Sequence, residues 1–316
     1  MTRMPEFVSA GEALTDMIRT APDQWTSRTG GAGLNVARAM ARLGVASAFA
    51  GAVSTDVFGE TLLAAATQAG LDTRFVQRYP NAPLLAMVHE TTPPAYFFIG
   101  EQSADLAFDA ARLPEGWDGA VRCVHFGGIS LARQPLAGRL LDLAASLKAR
   151  GVRISYDPNF RMLMDAGYDP MLAAMTALAD VIKVSDEDLH GLFRTDNANA
   201  ALARLRALNP EADILFTRGA AGAAFYRGGL AWRAAAPAID VVDTIGAGDA
   251  SISALLYSLM YRPESDGAEH LRFAVAAGAA ACCQAGAVPP TLEQVAALAA
   301  HVVALPLAEG AVRCAA

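Results

Sequence analysis

Short apolar segments alternate with longer helical patterns along almost the whole chain, and this alternation restricts the fold more than any other feature. Neighbouring parallel strands need a crossover between them, which is usually a helix, so the pattern predicts a mainly parallel sheet with helices on both faces. We therefore expect an α/β three-layer sandwich that forms a single domain over residues 1–316.

Seven strands and eight helices are expected from the apolar patterns. The expected strands cover residues 7–10, 47–53, 121–126, 152–157, 181–184, 214–217 and 239–242. The expected helices cover residues 34–43, 58–69, 135–150, 171–179, 200–208, 248–260, 268–284 and 292–303.

Two segments, at about residues 12–29 and 83–100, do not fit the alternation. The first is polar and irregular. The second holds two apolar runs separated by Thr91-Thr92-Pro93-Pro94, which predicts a hairpin with prolines in its turn. We expect both segments to leave the main sheet and to meet as a small β-sheet lid, which would exclude water from a site beneath it.

The composition limits the possible partners. Hydrophobic residues make up 53% of the chain and the formal net charge is −7, which predicts a large core and argues against a nucleic-acid-binding surface. The apolar stretch at 273–283 is too short to span a bilayer, so no membrane partner is expected. The chain starts without a secretory signal pattern, which with cysteines that lack metal-site spacing favours the cytoplasm. These cysteines are Cys123, Cys282, Cys283 and Cys314.

The segment from Asp243 to Asp249 reads Asp-Thr-Ile-Gly-Ala-Gly-Asp and stands between an expected strand and an apolar helix. Its glycines let the backbone approach a ligand closely, and the free amides at a helix start favour negative charge. A carboxylate at such a place would repel a bound anion. It is suited instead to take a proton from a hydroxyl that attacks a phosphoryl group, which makes Asp249 the candidate base.

A second glycine-rich segment, Thr29-Gly30-Gly31-Ala32-Gly33-Leu34-Asn35, opens a helix near the N-terminus. The Asn35 amide can both donate hydrogen bonds to sugar hydroxyls and accept them. The same glycines suggest a dinucleotide-binding turn, but Val36 occupies the place of the third glycine. No GxxxxGK[ST] segment occurs, which excludes a P-loop enzyme.

Taken together, Gly-Gly-x-x-x-Asn-x-Ala at 30–37 and Asp-Thr-x-Gly-Ala-Gly-Asp at 243–249 resemble the two signatures of the ribokinase-like (PfkB) carbohydrate kinases. Five further blocks follow in family order, at Gly11–Asp16, Phe126–Ser130, Asp157–Arg161, Val181–Asp188 and Thr217–Gly219. They are most similar to the fructokinase and 2-keto-3-deoxygluconate kinase branch. The resemblance covers nearly the whole chain and implies transfer of the ATP γ-phosphate to a primary sugar hydroxyl.

The resemblance also implies roles for single residues. Asp249 would be the base, Arg161 would lie near the acceptor and the transferred phosphate, and the amides of Gly246, Ala247 and Gly248 would form the anion hole. The sugar hydroxyls would be held by Asp16, Gly31 and Asn35. ATP would be bordered by Lys183, Ser185, Thr217, Gly219, Gly222, Gly246, Gly248, Cys283 and Gly286. Asp188 would hold Mg²⁺ through water, and Asp243 and Ile245 would bind a monovalent cation such as K⁺ by backbone atoms.

Several alternatives remain open at this point. Ser185 and Asp188 equally fit a helix cap with an acidic first turn, and Arg161 and Lys183 equally fit structural ion pairs. Fructose is the first candidate acceptor, a sugar acid such as 2-keto-3-deoxygluconate the second, and another furanose or a nucleoside the third. A Rossmann-type dehydrogenase and a catalytically silent sugar sensor are the alternatives from other classes.

Two features bear on specificity and assembly. Ile99-Gly100 stands where relatives in this branch commonly carry Tyr-Arg, and losing that arginine disfavours a sugar-acid substrate. In this family lid strands with exposed edges often pair between subunits, so the resemblance also implies a homodimer that forms through the lid.

Overall fold

A computed structural model describes residues 3–91 and 94–307. Its strands are β1 (Phe7–Ala10), β2 (Leu14–Ala21), β3 (Gln24–Gly30), β4 (Ser47–Ser54), β5 (Val76–Tyr79), β6 (Leu85–Thr91), β7 (Pro94–Ile99), β8 (Cys123–Gly127), β9 (Arg153–Asp157), β10 (Val181–Ser185), β11 (Asp213–Thr217), β12 (Ala223–Arg227), β13 (Leu230–Ala234) and β14 (Ala304–Pro306). Its α-helices are α1 (Ala32–Arg42), α2 (Val57–Gln68), α3 (Leu136–Ala149), α4 (Asp169–Leu178), α5 (Asp186–Phe193), α6 (Ala198–Leu208), α7 (Ala247–Tyr261), α8 (Gly267–Cys282) and α9 (Leu292–Ala299).

The main sheet has ten strands in the order β14-β13-β12-β11-β10-β9-β8-β1-β4-β5. The pairs from β11 through to β5 are parallel, whereas β12, β13 and β14 are added antiparallel at one edge. The strand order changes direction between β1 and β8. In open α/β sheets ligands bind beside the carboxyl ends of the strands at such a switch point.

Helices cover both faces of this sheet, so the expected three-layer sandwich is confirmed. One core contains Leu140, Leu172 and Leu202 from α3, α4 and α6. The core on the other face contains Met40 from α1 and Leu255 from α7, with further residues of α8 and α9. Strand β4 is buried at every position, as a strand covered on both faces must be.

A separate four-stranded sheet in the order β3-β2-β6-β7 forms the small second sheet that the sequence predicts. Strands β2 and β3 form an antiparallel pair, so the interpretation of residues 12–29 as irregular is wrong. Most of β3 is exposed, and its sequence therefore lacks the apolar alternation of a half-buried strand. The expected turn residues Thr92 and Pro93 lie outside the described residues.

The expected strand at 239–242 is wrong, because the chain from 235 to 246 contains neither helix nor strand. Val241 and Val242 are each 61% exposed, and none of the described strands pairs with this segment. The amides of Val242 and Asp243 donate instead to the carbonyl of Cys282 at the end of α8. An apolar run that docks on a helix end resembles a strand in composition but has no strand partner.

The apolar pattern also did not predict β5, β14, α5 or the hairpin of β12 and β13. The Gly228-Gly229 turn of that hairpin is a strong hairpin signal in the sequence. The helix expected to reach residue 303 ends at Ala299, because the chain then enters β14. Within the described ranges, no helix is long and apolar enough to cross a membrane.

Candidate active site

Helix α7 begins beside Lys183 of β10, directly after a tight turn at Gly246. Gly246 has φ of 80°, a left-handed conformation that favours glycine, and a Cβ there would lie 3.1 Å from the Cα of Ala287. The Ala247 amide donates to the carbonyl of Thr244 at 3.2 Å. In the described part of the chain, no group accepts a hydrogen bond from the amides of Gly248 and Asp249. The helix start therefore presents free donors where an anion would be stabilised.

Asp249 lies in this first turn and contacts the helix that follows the N-terminal glycines. The Asn35 side-chain amide donates to Oδ2 of Asp249 at 3.0 Å. Burial raises the pKa of Asp249, while the hydrogen bond from Asn35 and the charges of Lys183 and Arg161 oppose this rise. The side-chain oxygen of Asn35, Oδ1, is buried without a hydrogen-bond partner in the described structure. That free acceptor suits a hydroxyl donor from a ligand.

Behind the helix start lies a buried ion cluster formed from the carboxyl ends of two neighbouring strands. Lys183 on β10 lies 3.1 Å from a carboxylate oxygen of Asp157 on β9 and 3.5 Å from one of Asp188 on α5. A Cβ at Gly248 would lie 3.2 Å from Nζ of Lys183, so the ammonium group is directly against the turn of α7. The cluster thus places a permanent positive charge beside the free amides.

The three members of the cluster titrate differently. Burial raises the pKa of Asp157 to about 7, with the charges of Asp188 and Asp249 adding to the rise against the opposing charge of Lys183. Burial alone would lower the pKa of Lys183, but Asp157 and Asp188 outweigh it and raise the pKa. Burial likewise opposes ionisation of Asp188, yet Lys183 and hydrogen bonds from Ser185 and Phe160 lower its pKa. Lys183 and Asp188 are therefore held as ions.

Asp188 closes a capping box at the start of α5. Its Oδ2 accepts from the Ser185 amide at 2.7 Å, its Oδ1 accepts from the Phe160 amide at 2.8 Å, and its own amide donates to the Ser185 hydroxyl. The structural alternative for Ser185 and Asp188 is thus present. Among the described residues, no group of three or more His, Cys, Asp or Glu side chains could hold a metal ion. A Mg²⁺ role for Asp188 stays a prediction, and it would have to act through water, since both oxygens are occupied and Lys183 is close.

The lid contributes a second group of residues. Asp16 on β2, a strand of the second sheet itself, is half-buried, and burial raises its pKa to about 6 against the opposing charge of Arg161. Gly31 has φ of 98°, and a Cβ there would lie 2.7 Å from the Glu12 carbonyl oxygen. The guanidinium carbon of Arg161 lies 5.9 Å from the ring centroid of Tyr96 on β7. The charge of Arg161 lowers the pKa of both Asp16 and Asp249, so its guanidinium lies within electrostatic range of both carboxyl groups.

The residues predicted to border a nucleotide fall on two neighbouring edges of the site. Ser185 and Thr217 are partners in the β10–β11 register, and Gly219 and Gly222 follow in left-handed conformations. On the other edge, Asp243 accepts from the amides of Ile245 at 3.1 Å and Gly286 at 2.8 Å. Its carboxylate thus joins the segment before α7 to the loop after the exposed Cys283. The cation role of Asp243 and Ile245 stays a prediction.

The structure explains why residue 100 is a glycine, which the sequence alone does not. Arg133 donates to the Gly100 carbonyl, to Ser103 and to the carboxylate of Asp105, which is only 1% exposed. A Cβ at position 100 would lie 2.5 Å from Leu84 Cδ1 and 2.9 Å from Nη2 of Arg133. Gly100 therefore lies directly after β7, where Arg133 connects the second sheet to the rest of the fold.

The sequence assigns no role to Asp157 and Asn159, which the structure places beside Lys183 and Arg161. Asp157 ends β9 next to β10, and the rule that carboxyl ends of adjacent parallel strands meet could have placed it beside Lys183. Nothing in the local pattern indicates the backbone conformation of Asn159, which has φ of 46°.

Comparison with known proteins agrees with this architecture. Residues 4–294 match the model of the pfkB family carbohydrate kinases. The chain is 31% identical over 313 residues to a probable chloroplastic fructokinase-6 of Arabidopsis thaliana, which covers 92% of this chain and 81% of that protein.

Two solved structures are similar over nearly their full length. A fructokinase with bound ATP from Xylella fastidiosa has 29% identity and a TM-score of 0.84, covering 94% of this chain and 99% of that one. An aminoimidazole riboside kinase from Salmonella enterica, complexed with aminoimidazole riboside and an ATP analogue, has 26% identity and a TM-score of 0.79, covering 93% and 99%.

The fold and the site thus define a carbohydrate kinase, a phosphotransferase that acts on an alcohol group. The chain belongs to the pfkB family and is similar to its fructokinases. The alternative of a Rossmann-type dehydrogenase is therefore wrong.

Proposed function

We propose that this chain transfers the γ-phosphate of MgATP to a primary hydroxyl of a small sugar, with fructose the first candidate. The observation that carries the proposal is the Asp249 carboxylate, which lies in the first turn of α7 beside free backbone amides and is oriented by Asn35. A base next to an anion site is the arrangement that phosphoryl transfer to a hydroxyl requires.

In this mechanism Asp249 takes the proton of the acceptor hydroxyl as the hydroxyl oxygen attacks the γ-phosphorus. Its raised pKa makes it a better proton acceptor than an exposed carboxylate. Asn35 Nδ2 fixes the carboxylate, and the free Oδ1 of Asn35 accepts from a second sugar hydroxyl. The bond between the γ-phosphorus and the bridging oxygen breaks, and ADP leaves with that oxygen.

The charge of the transferred group is stabilised by the start of α7. In the proposed anion hole of Gly246, Ala247 and Gly248, the Gly248 amide is free, whereas the Ala247 amide would have to release the Thr244 carbonyl in order to bind a phosphoryl oxygen. Lys183 adds a fixed positive charge behind the turn. Preorganised donors of this kind contribute several kcal/mol to a transition state, roughly 3 to 4 for one donor.

The nucleotide would lie between the two edges of the site. Ser185, Thr217, Gly219 and Gly222 border its phosphates on one side, and Cys283 and Gly286 border it on the other. The exposed apolar side chains of Val242, Ile245 and Val288 offer the surface that a purine base needs. Asp188 would hold the Mg²⁺ of MgATP through water, where the ion would neutralise phosphate charge. Asp243 and Ile245 would hold K⁺ by backbone atoms.

The sugar would lie between Asp16, Gly31 and Asn35, with Arg161 at its side. Fructose is favoured because residue 100 is a glycine packed against Arg133. No arginine stands at this position to bind a substrate carboxylate. Arg161 retains free donors, which keeps a sugar acid as the second candidate. A nucleoside is the third, because the Salmonella relative was solved with aminoimidazole riboside.

The deciding experiment measures ADP release from MgATP with fructose, 2-keto-3-deoxygluconate, ribose, tagatose and adenosine, with and without K⁺, using Asp249→Asn as the blank. Turnover on one sugar that disappears in the blank supports the proposal and names the acceptor. ATP binding without turnover on any sugar supports a sensor instead. Failure to bind ATP contradicts the proposal altogether.

We also propose that the protein acts in the cytoplasm as a homodimer. The face of the lid that points away from Asp16 carries Met17, Met87, Phe97 and Ile99, and the last two are exposed. A second copy of this lid would cover that surface. Size-exclusion chromatography with light scattering tests this: the wild type should run as a dimer and Phe97→Asp as a monomer.

A further inference from the structure

The loop at residues 157–161 follows β9 and has an unusual backbone. Asn159 has φ of 46°, one of only three positive φ values at non-glycine residues in the described ranges, the others being Gln102 and Arg194. Asparagine tolerates this left-handed conformation better than most residues, but the conformation still has to be held in place by its surroundings.

The buried ion cluster of Lys183, Asp157 and Asp188 binds the backbone of this loop. The amide of Asn159 donates to Oδ1 of Asp157 at 3.0 Å, and the amide of Phe160 donates to Oδ1 of Asp188 at 2.8 Å. Lys183 pairs with both carboxylates. The ring of Phe160 also lies against Gly191 on α5, where a Cβ would collide with it. The loop is therefore fixed to the same cluster that lies behind the turn of α7.

One nitrogen of Arg161 is fully occupied by this loop. Nη1 donates to Oδ1 of Asn159 at 2.6 Å, to the Phe160 carbonyl at 2.7 Å and to the Asn159 carbonyl at 3.1 Å. In the part of the chain that the structure describes, nothing accepts from Nη2 or Nε of Arg161. The ring of Tyr96 lies beside the guanidinium, and the charge of Arg161 lowers the pKa of both Asp16 and Asp249, so the free donors lie near these groups.

We propose that Asn159 is a positioning residue that acts through Arg161. Its left-handed backbone turns the loop, and its side-chain oxygen holds Nη1 so that Nη2 and Nε point at the acceptor sugar and the transferred phosphoryl group. The inference rests on the proposed function, in which Arg161 lies beside the acceptor. A guanidinium with one edge fixed loses less freedom when its other edge binds a ligand.

Two substitutions distinguish the contribution of the left-handed backbone of Asn159 from that of its side-chain oxygen. Asn159→Gly keeps the left-handed conformation and removes the oxygen, whereas Asn159→Asp keeps an oxygen at the Oδ1 position. We expect Asn159→Gly to lower kcat/KM for the sugar by about 10-fold or more, the effect of losing one hydrogen bond to a charged group, with the KM for ATP within about threefold of wild type. Asn159→Asp should keep most of the activity. Gln102→Gly, at another left-handed residue outside the site, is the matched control and should keep wild-type kinetics.

The same substitution in an Arg161→Ala background is the decisive measurement. If Asn159 acts through Arg161, Asn159→Gly should cause almost no further loss there, so the two effects are strongly non-additive. An equal loss in both backgrounds, or wild-type kinetics for Asn159→Gly, would overturn the positioning role while leaving the kinase assignment intact. A wild-type protein without turnover on any sugar would instead overturn the proposed function, and the role of Asn159 with it.

Discussion

The side-chain amide of Asn35 donates to the carboxylate of Asp249 at 3.0 Å, although 214 positions separate the two residues in the chain. This contact joins the first turns of α1 and α7 and fixes the orientation of the proposed base. It also leaves Oδ1 of Asn35 as a buried acceptor without a hydrogen-bond partner in the described structure.

Replacing the proposed base tests the mechanism directly. Asp249→Asn keeps the shape of the side chain but removes its ability to accept a proton, so kcat should fall by about 10²- to 10⁴-fold while the affinities for sugar and ATP change little. Steady-state kinetics and calorimetric binding measure the two effects. Asp142→Asn, on the exposed side of α3, is the matched control. Retained turnover in Asp249→Asn would show that another group accepts the proton.

Truncation of Asn35 should move the acidic limb of the pH profile. The hydrogen bond from Asn35 lowers the pKa of Asp249, so its loss in Asn35→Ala raises that pKa. Because the base must be deprotonated, half-maximal kcat should shift to a higher pH than in the wild type. The loss of contacts to the sugar should also lower kcat/KM by roughly 10- to 100-fold. Asn199→Ala on the exposed face of α6 makes the same truncation elsewhere and should leave both values unchanged. An unshifted limb would contradict the coupling.

Asp16 should impose its own pH dependence on sugar binding. Burial raises its pKa to about 6, so the carboxylate predominates above that pH and the neutral acid below it. The charged form is the stronger acceptor for sugar hydroxyls, and KM for the sugar should therefore rise as the pH falls through about 6. Asp16→Asn should bind sugar more weakly at pH 8 and lose this dependence. A wild-type KM that stays flat between pH 5 and 8 would exclude an ionised Asp16 as a sugar ligand.

Arg133 should matter for stability far more than an exposed cation. Arg133→Met would leave the buried Asp105 without its ion pair, and breaking a buried pair costs about 3–5 kcal/mol. The exposed pair of Lys148 and Asp180 provides the control, and Lys148→Met should cost less than about 1 kcal/mol. Urea unfolding measures both. The double variant Arg133→Met with Asp105→Asn should regain part of the loss, and equal costs for both single variants would refute the argument.

The sequence predicts the parallel sheet, the second sheet and the two glycine-rich turns because each depends on local chemistry or on regular periodicity. Asn35 and Asp249 could be linked to one site because both follow glycines at helix starts. Lys183 and Asp188 are close in sequence, but Asp157 joins them only because β9 lies next to β10, and the local pattern around Asp157 does not show that pairing. The strand expected at 239–242 is wrong because an apolar run does not indicate whether a partner strand lies beside it.

The 214-residue separation of Asn35 and Asp249 has a consequence for how activity arises. A chain that ends before α7 carries neither the proposed base nor the amides of the proposed anion hole. Activity should therefore require that the segment from residue 247 onward has docked on the rest of the fold. Recovery of turnover during refolding should consequently report completion of the whole domain rather than formation of either half.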